Sequence, residues 1–133
     1  MMQATLVPLV VADQDRALAF YHGVLGFETR ADYQRAGWPR FLTVAPPGSD
    51  VEFVLVKGTY RSDPRPPASA KDTAGHQWVL ATDDLRGEVE RLRSRGLRLK
   101  APGIVDAPSG ATASFTDPDG NHFALLQPVQ RKA

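Results

Sequence analysis

The chain has no cysteine among its 133 residues, which removes disulfides, thiolate nucleophiles and cysteine-ligated zinc from the chemistry open to it. Histidine is scarce as well. His22, His76 and His122 are the only three, so a metal site would have to draw on carboxylates, amides or water. Neither sign of charge is in excess: sixteen Lys and Arg face fifteen Asp and Glu, a net charge of +1. A chain so balanced carries no electrostatic signature of a nucleic-acid partner or an anionic membrane surface. Long hydrophobic runs are missing too. The apolar stretch Thr5 to Ala12 is too short and too β-branched for a membrane span or a signal segment, and no basic region precedes it. The expectation from these absences is a bacterial cytoplasmic protein without nucleic-acid or membrane partners.

What is present suits one globular domain. Hydrophobic residues make up 42% of the chain and charged residues 23%, and at this size roughly two-thirds of the unfolded surface can be buried. Thr5 to Ala12 reads as a strand, with Pro8 pointing to an edge position. Asp13 to Asp15 then supplies an N-cap for a helix over Arg16 to Val24, which Gly26 stops. Short strands follow at Phe27 to Tyr33, Pro39 to Ala45 and Asp50 to Lys57, separated by turn chemistry such as Ala45-Pro-Pro-Gly48.

After a segment rich in Pro, Ser and charge, the pattern starts again. His76 to Ala81 reads as a strand, Asp83-Asp84 as a cap, and Leu85 to Arg93 as a helix with Leu85, Val89 and Leu92 on one face before Gly96. The offset between the copies is about seventy residues. The chain therefore reads as one α+β domain of two βαβββ modules, about 4–57 and 75–128, joined by the Pro-rich connection 58–74. The basic stretch Glu90 to Lys100 is the solvated face and C-terminal end of the second helix, where positive charge suits the helix dipole, and no aromatic residues interleave it.

Two motifs carry a resemblance. Val11, Asp13, Ala17, Phe20, Tyr21, Leu25, Gly26 and Phe27 match V-x-D-x-x-x-A-x-x-F-Y-x-x-x-L-G-F, and Asp117 to Asn121 match D-P-D-G-N in full. With the repeated module, they make the chain similar to the vicinal oxygen chelate superfamily of glyoxalases, extradiol dioxygenases, fosfomycin-modifying enzymes and bleomycin-resistance binding proteins. The resemblance implies a curled mixed sheet and a homodimer, and it leaves the activity open, because the motifs are a helix cap, a core face and a turn. Asp117 to Asn121 is a hairpin turn with Pro where φ is fixed and Gly120 or Asn121 where positive φ is tolerated. A calcium loop is the other use of such a string, but the further oxygen ligands at calcium-loop spacing and the terminal Glu are absent.

The resemblance also implies which four positions decide the chemistry. In the metalloenzymes of the superfamily the ligands are His or Gln on the first strand and Glu on the last strand of each module. Carried over, they fall on Leu6 and Glu52 in the first module and on Gln77 and Ala124 in the second. Two of the four keep a donor, too few to hold a hard cation without recruiting water. By strand alternation His122, Ala124 and Leu126 share the cavity side, as do Gln77 and Val79, while Phe123, Leu125, Trp78 and Leu80 pack under the helix.

Two functional readings follow, with a third beside them. In the first, the protein binds a small organic molecule, as in drug or metabolite sequestration and antibiotic resistance, with no metal cofactor. The ligand set is Leu6, Pro8, Trp38, Glu52, Val54, Gln77, Val79, His122, Ala124 and Leu126, with Val10 and Val56 adding to the apolar wall. Trp38 and Tyr60 are candidates to stack on the ligand, and Arg40 or Arg61 to meet an anionic group. In the second, a glyoxalase-like lyase or isomerase, or a dioxygenase, holds a divalent metal on a relocated set of Glu52, Gln77 and His122. The third is a structural or regulatory dimer whose cavity its own side chains fill. Glu52 is the candidate catalytic residue; the alternatives for it are a relic of the metal site or a structural, ligand-orienting pair with Gln77.

Overall fold

A computed structural model describes residues 1–58 and 77–129. The connection 59–76, with Tyr60, Arg61 and His76, lies outside them. The chain divides into two compact units, Met1–Arg65 and Pro66–Ala133.

The first unit runs β1 (Leu6–Val11), α1 (Gln14–Leu18), a π-helical turn (Ala19–Val24), β2 (Glu28–Tyr33), β3 (Phe41–Ala45) and β4 (Glu52–Lys57). The second repeats it with β5 (Trp78–Ala81), α2 (Leu85–Ser94), β6 (Val105–Ala107), β7 (Gly110–Thr116) and β8 (His122–Pro128). Each unit folds a four-stranded mixed sheet of the same connectivity, ordered β1-β4-β3-β2 and β5-β8-β7-β6. In both, the first strand pairs in parallel with the last and the other ladders are antiparallel. Pro8 sits on β1, the edge strand of its sheet, where the missing N–H costs no ladder bond on the outer side.

The caps fall where the sequence places them. Asp13 accepts from the Arg16 N–H at 3.0 Å and Asp84 from the Gly87 N–H at 3.1 Å. The first helix departs from simple periodicity. It begins at Gln14 and loosens after Leu18, so that the Leu25 N–H donates five residues back to the Phe20 carbonyl. A spacing of 3.6 cannot signal that loosening, because Ala17, Tyr21 and Leu25 stay buried through it.

Alternation in the strands gives each sheet a core face. In the first unit Leu9, Val11, Leu42, Val44, Phe53 and Leu55 are buried with Tyr21 and Phe27, whose rings pack in series onto Phe53. In the second, Phe115 and Phe123 stack at 5.4 Å beneath Leu85, Val89 and Leu92 of α2. Glutamine amides fasten each helix start to its sheet. Gln14 Nε2 donates to the Leu55 carbonyl at 2.8 Å, and Gln127 Oε1 accepts from the Leu85 N–H at 2.9 Å. Gly110 opens β7 at φ 139°, and a Cβ there would stand 2.1 Å from the Gln127 carbonyl oxygen on β8, so only glycine lets the two strands approach.

Candidate functional site

The faces opposite the helices carry the candidate residues. On β1 and β4 the parallel register sets Leu6 beside Glu52, Pro8 beside Val54 and Val10 beside Val56. Since neighbouring β-residues point to opposite sides, all six share the face away from α1. That face is apolar and is open along β1: Leu6 is 45% exposed and Val10 43%. Glu52 is its acid, half-buried. One carboxylate oxygen accepts a 2.7 Å hydrogen bond from the hydroxyl of Thr43 on β3, a residue fully buried on the same face. Thr43 thereby fixes the rotamer of the carboxylate and satisfies one of its oxygens.

In the second unit the register sets Val79 beside Ala124 and Ser114 beside Ala124 on its other flank. His122 opens β8 beside Thr116. Gln77 precedes β5 and is exposed, and continuing the Trp78–Phe123 register by one residue brings it level with His122. The imidazole is engaged: Lys100 Nζ lies 2.6 Å from His122 Nδ1. An ammonium only donates, so Nδ1 accepts.

The donors at the superfamily's ligand positions do not fit a hard divalent ion. In the first unit the carboxylate of Glu52 faces the hydrocarbon of Leu6 and is already bonded to Thr43. In the second, the last-strand position is the methyl of Ala124, and Nδ1 of His122, two residues before it, is taken by an ammonium that a cation would repel. Among the described residues, no three His, Cys, Asp or Glu side chains gather where they could hold a metal ion.

Other sequence expectations find their places. Trp38 lies in the β2–β3 loop, 72% exposed, so it plugs no part of the first unit's core. Arg40 does not wait for an anionic ligand. Its Nε and Nη2 donate to the two oxygens of Asp32 at 2.8 and 2.9 Å and its Nη1 to Asp15 at 2.7 Å, tying the β2–β3 loop to the start of α1. The hydrogen bond from Arg40 holds the Asp32 carboxyl below the usual carboxylate range, and the same bond raises the guanidinium further above its own.

The D-P-D-G-N string is a turn. Buried Asp117 accepts from the N–H groups of Asp119 (2.9 Å) and Asn121 (2.7 Å) and from Asn121 Nδ2 (2.7 Å), and Gly120 takes φ 86°. With both carboxylate oxygens turned onto the loop's own donors, the loop holds itself together as a calcium site would not. Three contributors escaped the sequence. Thr43 sits in an unremarkable string, and only the ladder register brings it to Glu52; Lys100, read in the sequence as the end of the second helix, lies beyond that helix, which stops at Ser94, and its N–H bond to Ser114 sets it beside His122. Gly110 ends the turn string Pro108-Ser109-Gly110, but nothing in that string shows that β8 approaches too closely for a Cβ.

Comparison with known proteins agrees with this architecture. The sequence profile of the Glyoxalase/Bleomycin resistance protein/Dioxygenase superfamily matches residues 3–125. An uncharacterized protein of Shewanella frigidimarina is 33% identical over 125 residues, covering 91% of this chain and 90% of its own. Among solved structures the chain is similar to TnmS3, an antibiotic binding protein from Streptomyces sp. CB03234, with 36% identity, a TM-score of 0.77 and coverage of 97% of this chain and 98% of that one. A superfamily member from Sphaerobacter thermophilus gives 32% identity and a TM-score of 0.79, covering 96% and 98%. The repeated βαβββ sheet, the two motifs and these likenesses converge: the chain belongs to the Glyoxalase/Bleomycin resistance protein/Dioxygenase superfamily.

Proposed function

We propose that the protein binds a small organic molecule on the open faces of its sheets and sequesters it without a catalytic metal. The observation that carries this is the pairing of Leu6 with Glu52, a hydrocarbon where the superfamily's metalloenzymes place a ligand, beside a carboxylate already held by Thr43. The likeness to an antibiotic binding protein supports the same class of ligand. The chemistry of the face fits it too: Leu6, Pro8, Val10, Val54 and Val56 offer apolar area, and Glu52 offers one oriented acceptor to fix a ligand's donor.

The working form is a homodimer. Leu6 and Val10 on β1 and Trp78 and Val79 on β5 are exposed large hydrophobic side chains on the edge strand of each sheet, apolar area of the kind a partner chain covers. A thermal-shift screen of aromatic antibiotics and metabolites, in chelator throughout, tests the reading. A ligand at one hundred times its dissociation constant stabilises by about 2.7 kcal/mol. A hit that survives chelator and is lost in Glu52→Ala or Val54→Asp supports it; ligands that bind only after metal is restored overturn it.

A further inference from the structure

Among the described residues, Lys100 is a cation without a counter-charge on the second unit's sheet face. Its backbone N–H donates to the Ser114 carbonyl at 2.8 Å, which fixes where the side chain starts. The chain then reaches the first residue of β8, where Nζ donates to His122 Nδ1 at 2.6 Å. With Nδ1 accepting, the neutral ring carries its proton on Nε2. The ion pairs formed among the described residues engage Arg30, Arg40 and Arg91, not Lys100. The residues flanking His122 on its face are uncharged: Thr116 beside it, and Ser114, Ala124 and Val79 in the next row.

We propose that Lys100, positioned by His122, recognises an oxygen anion on the bound molecule, so that the ligand is an apolar or aromatic compound bearing a carboxylate, sulfonate or phenolate. This rests on the small-molecule reading above. A lysine stem is flexible, and free rotation would weaken any contact it makes; the imidazole acceptor restrains the ammonium at one point and leaves two N–H bonds to donate. Among the described residues the ladder neighbours of His122 are hydroxyl and apolar groups that bring no competing carboxylate, and a less polar floor strengthens a charge-assisted hydrogen bond over its value in water. Neutral ligands gain nothing from this arrangement, and cationic ones are repelled.

Two fluorescent dyes with one skeleton isolate the charge: anilinonaphthalene sulfonate, which is anionic, and phenylnaphthylamine, which lacks the sulfonate. The protein is expected to bind the sulfonate at least about tenfold more tightly, with the gap shrinking as salt rises. Lys100→Met closes the gap by weakening the sulfonate alone, Lys100→Arg keeps part of it, and His122→Leu narrows it while circular dichroism and the thermal midpoint stay unchanged. Equal binding of both dyes by the unmodified protein, or an undiminished gap in Lys100→Met, overturns anion recognition while the ligand-binding reading stands. Failure of both dyes to bind the unmodified protein refutes the apolar ligand face, and this inference with it.

Discussion

At the scale of single residues, what a side chain can do depends on the partner it already has. Glu52, His122, Arg40 and Asp117 each look like a functional group in the sequence, and each has a specific partner in the fold. For Glu52 the partner leaves capacity to spare, since Thr43 uses one carboxylate oxygen. For Arg40 and Asp117 it does not, and both are structural.

The Asp32–Arg40 pair makes a pH prediction. Because Arg40 lowers the folded-state pKa of Asp32 below its ordinary value, the pair stabilises the fold fully above the unfolded-state value of about 3.9 and loses that contribution as pH falls through the lower folded value. Wild type should therefore be more stable than Asp32→Asn in urea titrations near neutrality, and the two should converge below about pH 4. A difference that persists unchanged into acid would show that Asp32 acts by something other than its charge.

At the scale of elements, the strands and helix stops were legible because they rest on local rules. Alternating side chains set the faces of β1, β4 and β8, Asp13 and Asp84 mark the helix starts, and the D-P-D-G-N string marks the β7–β8 turn. The π-helical turn after Leu18 was not legible, since it leaves the buried positions of the helix where α-helical spacing already put them. Nor were the Thr43–Glu52 and Lys100–His122 bonds, which span 9 and 22 residues and exist only once the ladder registers are set.

The turn itself is testable. Asp117→Ala strips the acceptor from two backbone N–H groups and an amide in a part-buried loop, and should cost about 2 kcal/mol or more in urea unfolding. Asp117→Asn keeps acceptor capacity at one oxygen and should cost less. Equal, negligible losses would mean the turn is held by Gly120 and Pro118 alone.

At the scale of the whole molecule, one module has been used twice with different polar furniture. Both units share a strand order and a capped helix, yet the sheet face of the first carries a carboxylate held by a hydroxyl and that of the second an ammonium held by an imidazole. Membership of the superfamily was readable from the helix-cap and turn motifs because those residues build the fold; the use of the fold was not, because it rests on side chains that the fold itself does not constrain.

The central claim is that this chain keeps the superfamily's sheets and has given up its metal chemistry. The most direct measurement is elemental analysis of protein purified without chelator, followed by calorimetric titration of the stripped protein with nickel, zinc, manganese and ferrous iron. The account predicts no stoichiometric ion and weak, unselective titrations that Glu52→Ala leaves unchanged. One ion per chain, bound tightly and lost on Glu52→Ala, would contradict it.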